Sequence, residues 1–176
     1  MAKFCPLFSS STGNSIYIGG GEDSILIDVG MTAKQIEQSL FGIGVDADSI
    51  RNIFITHEHS DHVKGLKVFT KKHKARVFMT AGTYEALAKT DALDNVNECK
   101  IITDDGADVG CMFIKPFAIS HDCIEPCGYT IEMANGRKLA IATDLGVMTD
   151  TVFDALKGSD LVMLESNHDV NMLQCG

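Results

Sequence analysis

At 176 residues with 45% hydrophobic content, the chain suits one domain, residues 1–176, and excludes a disordered polypeptide. Fifteen basic against 24 acidic side chains give a net charge of −9, which argues against broad surface affinity for nucleic acid. No apolar run is long enough to cross a bilayer and no basic-then-apolar leader opens the chain, so a cytoplasmic protein is expected.

In chain order, residues 3–8 and 15–18 read as strands joined by the Ser-rich loop Ser9–Asn14. A glycine turn at Gly19–Asp23 leads to a strand over Ser24–Asp28, which gives a hairpin. Gly30 breaks that strand, and Thr32 caps a helix to about Phe41, with Ile36, Leu40 and Ile43 at helical spacing. Ile50–Ile55 is apolar and β-rich, and Val63–Lys74 reads as a helix. Arg76–Met79 is a short buried strand, and Thr80 or Thr83 opens a helix to about Lys89. The second half is β-rich, with strands over 100–102, 108–120, 128–133 and 138–143. Asn135-Gly136 predicts a type I′ hairpin turn. Thr149–Lys157 reads as a helix and Asp160–Glu165 as a strand. Hairpins mixed with helices predict an α+β fold of sheets covered by helices.

Between the strand at Ile50–Ile55 and the helix from Val63 lies Thr-His-Glu-His-Ser-Asp-His, residues 56–62. Three histidines and two carboxylates in seven positions are poor core material and suit a divalent metal ion, for which imidazole and carboxylate are good ligands. A solvated polar turn is the plain alternative. If the loop starts extended, His57, His59 and Asp61 project to one side, while His62 lies at the helix N-terminus. One loop then serves two neighbouring metals. Glu58 reads as a supporting or solvent-facing carboxylate.

Other polar features have ordinary explanations. Lys64, Lys67, Lys71, Lys72, Lys74 and Arg76 fit a solvated helix face as well as a phosphate-binding patch. His73 reads as solvated near a helix C-terminus. Six cysteines without a Cys-x-x-Cys pair read as reduced thiols, with Cys123 and Cys127 as outside candidates for a soft ligand or redox pair.

The run His57-x-His59-x-Asp61-His62 resembles the signature of the metallo-β-lactamase superfamily of metallohydrolases. The resemblance covers the whole chain. Phe8–Ser15, Thr143-Asp144-Leu145-Gly146 and Glu165-Ser166-Asn167-His168-Asp169 are similar to its YycJ/WalJ branch. It implies a four-layer αββα sandwich with metals at one sheet edge. By the same resemblance, His57, His59 and His121 hold one metal, Asp61 and His62 the other, and Asp144 bridges both. Two cations there make hydroxide available near neutral pH for attack on phosphorus or a carbonyl carbon. Asp61 is the orienting group and proton acceptor. Asp28 orients the metal loop without binding metal. Asn14 and Ser15 hold substrate oxygens or close a turn, and His168 is either a proton donor at the scissile phosphate or a surface histidine. Zinc is the first choice of metal, with manganese, iron or cobalt as alternatives.

Relatives in this superfamily continue beyond the equivalent of Gly176 and supply a further ligand histidine. None follows His168 here, so a fragment with missing C-terminal elements is expected. The resemblance implies a phosphodiesterase acting on DNA as an exonuclease, with nucleic acid as its partner. A thioester or lactone hydrolase and a non-catalytic metal-binding interaction domain are the competing classes.

Overall fold

The computed structural model describes residues 3–20 and 23–165. One sheet holds β1 (Lys3–Phe8), β2 (Ser15–Gly20), β3 (Asp23–Ile27), β4 (Asn52–Phe54), β5 (Arg76–Met79) and β6 (Cys99–Ile101), in that order. Pairing is antiparallel from β1 to β3 and parallel from β3 to β6. The second sheet comprises β7 (Ala107–Val109), β8 (Met112–Ala118), β9 (Cys127–Met133), β10 (Lys138–Ala142) and β11 (Leu161–Leu164). Its order is β11-β10-β9-β8-β7, with β10 and β11 parallel.

Strand periodicity sorts side chains into layers. Ile16, Ile18, Ile25, Ile27, Phe54 and Phe78 face Ile114, Tyr129, Ile131 and Ile141 between the sheets. The intervening Tyr17, Leu26, Ile53, Ile55, Val77 and Met79 face helices on the other side. Those helices are α1 (Ala33–Gly42), α3 (Leu66–His73) and α4 (Ala81–Leu87), which bury Ile36, Leu40, Leu66, Phe69 and Leu87. On the far face of the second sheet, α5 (Asp150–Leu156) buries Val152 against Phe117, Ile119 and Ala142. The result is a four-layer αββα sandwich. Because β3, β4 and β5 are covered on both faces, they read as continuous apolar runs.

Thr32 caps α1 as expected, Thr80 rather than Thr83 opens α4, and Thr149, expected inside its helix, stands before α5 as its cap. The Thr32, Thr80 and Thr149 side chains accept from the backbone N–H of Gln35, Thr83 and Val152 at the starts of α1, α4 and α5. Three local expectations are corrected. The helix expected over Val63–Lys74 is broken: α2 (Ser60–Val63) precedes α3, with Gly65 between them. A Cβ on Gly65 would lie 2.1 Å from the Met31 carbonyl oxygen, so the crossing chain, rather than helix propensity, decides the break. The strand expected over Asp108–Ser120 is a hairpin, turned by Gly110 at φ 58 with Val109 paired to Met112. The turn at Asn135-Gly136 is not type I′. Gly136 takes φ 80, Asn135 has no positive φ, and Met133 N–H donates to Arg137 O, a three-residue loop closed by a left-handed glycine.

Candidate metal centre

Asp28 follows β3, His57 follows β4, His121 follows β8 and Asp144 follows β10. Each therefore leaves the same edge of the sandwich, where parallel strand directions in both sheets end together. Asp28 and Asp144 both turn sharply off their strands, at φ 62 and φ 52, in a left-handed conformation that aspartate tolerates better than most residues.

Three chain segments are laced together beneath the site. Asn14 N–H donates to Asp61 O, Gly30 N–H to Asn14 O and Val29 N–H to His62 O, each at 2.8 Å. Gly30 makes this approach feasible, since a Cβ there would lie 1.7 Å from Asp61 O. The lacing pulls Ser60–Val63 into α2, so Asp61 sits in a helical turn rather than beside His57 and His59 on an extended run.

Two compact donor groups result. His57, His59 and His121 form one, and His57, His62 and Asp144 the other; within each, ligand atoms lie within 4.8 Å of one another. Asp144 Oδ2 is 2.9 Å from His62 Nε2 and 4.0 Å from His57 Nε2. Asp61 Oδ2 stands at the rim, 3.6 Å from His62 Nε2. His57 Nε2 is buried without a hydrogen-bond partner. A buried ring nitrogen left bare among other imidazoles suits a cation, and an all-imidazole and carboxylate set is divalent-metal chemistry.

Protons and charges divide unevenly across these groups. Burial pushes His57 down to about 4, and the neighbouring His62 adds to this. Burial would also depress His62, but Asp28 and Asp144 outweigh it and push it up to about 10. Contact with the His62 ring lowers Asp144 in turn. In the metal-free protein one proton on His62 thus offsets the adjacent carboxylates.

Asp28 Oδ1 accepts from Thr56 N–H at 2.9 Å, while Oδ2 accepts from His62 Nδ1 and Thr56 Oγ1, both at 2.8 Å. Asn14, 4% exposed, has Nδ2 3.0 Å from His62 Nε2 and 3.3 Å from Asp61 Oδ2. The Ser15 hydroxyl is fully buried and donates to Asp28 O, which ties the start of β2 to the residue that follows β3. Glu58 is partly buried and accepts Ile124 N–H at 2.9 Å, which ties the metal loop to the loop carrying His121. His168 lies outside the described residues.

Two residues were not singled out by residue type. Thr56, fully buried, contacts Asp28, His57 and His62, and Gly30 permits the chain crossing. A hydroxyl and a glycine carry no ligand chemistry; the signal available was their position beside the motif and after the strand-end aspartate.

Several peripheral expectations change. His73 is buried, 6% exposed, and bridges Asp48 through Nδ1 and Glu37 through Nε2, so it is not a solvated helix-end residue. Lys67 pairs with Asp91 and Asp94, and Lys72 with Glu37, so acidic neighbours already neutralise part of the Lys-rich segment. Cys123 and Cys127 join neither donor group, and burial pushes both thiols up to about 12, unlike a reactive pair.

A four-layer αββα sandwich with clustered imidazoles and carboxylates at one edge defines a metallo-β-lactamase-fold protein with a divalent-metal type of donor cluster. The chain belongs to the β-lactamase superfamily, since the family model for the Beta-lactamase superfamily domain matches residues 23–173. It is 36% identical to exodeoxyribonuclease YycJ of Bacillus anthracis, over 98% of this chain and 66% of that protein. It is 31% identical to exodeoxyribonuclease WalJ of Streptococcus pneumoniae, over 99% of this chain and 65% of that protein. The chain thus spans slightly less than two thirds of the length of these relatives. Among solved structures, the short form of human tRNase Z superposes with a TM-score of 0.74 at 19% identity, over 99% of this chain and 80% of that one. That likeness concerns the fold.

Proposed function

We propose that this chain carries the metal centre of a phosphodiesterase that acts on DNA as an exonuclease. The observation that carries the reading is the pair of donor groups meeting at His57, built on a chain similar to two exodeoxyribonucleases. His57, His59 and His121 would hold one divalent ion, and His62 with Asp61 the other. Asp144 Oδ2, between the His57 and His62 rings, would serve both. Divalent ions in such a set supply Lewis acidity, which makes water a competent nucleophile near neutral pH and offsets charge on phosphoryl oxygens. The side chains then divide the remaining work. Asp61, 26% exposed at the rim, accepts a hydrogen bond from the attacking water and takes its proton at Oδ. Asn14 Nδ2 holds that carboxylate against the His62 ring. The ligand set favours zinc over manganese or iron, and the reduced thiols of Cys5, Cys99, Cys123 and Cys127 fit a cytoplasmic protein. No described helix is long and apolar enough to cross a membrane.

The test is metal analysis with a substrate panel: end-labelled duplex DNA, bis-p-nitrophenyl phosphate and S-acylglutathione. Two metals per chain with cleavage of both phosphodiesters are expected. Hydrolysis of the thioester alone would overturn the nuclease reading, and one metal without turnover would indicate a metal-holding interaction domain.

A further inference from the structure

The hydroxyl of Thr56 is buried against three polar groups: Asp28 Oδ2 at 2.8 Å, His57 Nδ1 at 3.0 Å and His62 Nδ1 at 3.2 Å. We infer that Thr56 is a positioning residue that fixes the proton of His57 on Nδ1, so that one buried carboxylate, Asp28, aims both His57 and His62 at the metals. This rests on the metal-centre reading above.

A count of protons gives the assignment. An ionised carboxylate only accepts, so each group facing Asp28 must donate. Thr56 N–H donates to Oδ1, and the His62 Nδ1–H donates to Oδ2 at 2.8 Å, closer than its approach to Thr56. The hydroxyl has a single proton, and that proton also goes to Oδ2. Its lone pairs face His57, so His57 Nδ1 must be the donor.

The opposite tautomer fails on burial. A proton on His57 Nε2 would sit on a buried atom with no acceptor in hydrogen-bond range, since Asp144 Oδ2 is 4.0 Å away. A bare Nε2 lone pair can be taken up by a cation, whereas an Nε2 proton there has no acceptor at all. With Nδ1 protonated, Nε2 presents its lone pair to both donor groups, and a histidine oriented through its other nitrogen is the usual arrangement around a bound metal. Asp28 therefore reaches His62 directly and His57 through Thr56. Within Thr56, the hydroxyl sets the proton.

Two measurements test this. Nitrogen-15 spectra of histidine-labelled, metal-free wild-type protein near neutral pH should show His57 protonated at Nδ1. Zinc dissociation, read by competition with a chelating indicator dye, should weaken by about 10–100-fold in Thr56→Val, which keeps the side-chain shape. Thr56→Ser should restore binding close to wild type, because it keeps the hydroxyl. A His57 proton on Nε2 in wild type would overturn the inference even if Thr56→Val does not fold. So would a folded Thr56→Val that holds zinc as tightly as wild type. Wild-type protein that binds no zinc would instead break the metal-centre reading, leaving the tautomer result to stand or fall alone.

Discussion

His57 and His62 are fully buried, and each has Nδ1 engaged by Thr56 or Asp28. His59 and His121 are partly exposed, and the polar side-chain contacts described for them are with each other and with Asp122. The inner half of the centre is closed to bulk solvent, so its polar atoms need partners within the protein and folding itself must aim its rings. The outer half is open to solvent and is steered through its backbone: Glu58 holds the Ile124 N–H, and Gly146 N–H donates to Ser120 O beside His121. Preorganisation is thus concentrated on the side that cannot be rearranged after folding.

The largest break in this contrast is expected from Asp144→Ala, which removes a carboxylate lying within 4.0 Å of the Nε2 atoms of both His57 and His62. The proposed phosphodiesterase turnover should fall by about a thousand-fold or more, about 4 kcal/mol in the barrier. Metal analysis should show loss of bound ion in parallel, and retained two-metal occupancy would show that the assignment is wrong. Gly30→Ala should come next, as a loss of stability. Its Cβ would overlap the Asp61 carbonyl, and about 3 kcal/mol should be lost in urea denaturation.

Asp28→Asn keeps a residue that tolerates the left-handed backbone but removes the charge beneath the inner half. Metal affinity should drop by about 10–100-fold. By contrast, His59→Ala should spare one ion of the proposed pair, because His59 belongs to only one donor group. Equal losses of metal in these two variants would erase the distinction between the halves.

The smallest expected effect lies outside the centre. Burial alone would raise Glu37, but Lys72 and His73 outweigh it and lower its carboxyl. A carboxyl lowered by folding adds stability above its unfolded value, and that stability is lost as pH falls through the folded value. Denaturation midpoints should therefore decline in mild acid, and Glu37→Gln should flatten that decline slightly. An identical acid profile in the variant would remove Glu37 from the account.

Ligand chemistry was legible early because it resides in side-chain type: three imidazoles and two carboxylates in seven residues have few other uses. Strands and caps were legible too, since Thr32, Thr80 and Thr149 act within one helical turn. The failures share a different origin. The break at Gly65 depends on Met31 crossing it, and the burial of His73 depends on Glu37 and Asp48 arriving from distant positions. The Asn135-Gly136 loop had the expected residues but another loop length, because Met133 pairs with Arg137 across three residues.

By itself the sequence determined the α+β class, through alternation and caps, and the candidate donors His57, His59, Asp61 and His62, to which the family resemblance added His121, Asp144 and the layered form. Only the tertiary structure decided how those donors divide, with His57 common to both groups and Asp61 at the rim. It alone also placed the Thr56 hydroxyl against His57 Nδ1 and the Asp28 carboxylate against His62 Nδ1. The physical reason is range. Propensity and ligand chemistry are properties of single residues and near neighbours, whereas the orientation of a buried imidazole is set by whichever polar group the fold places against its other nitrogen.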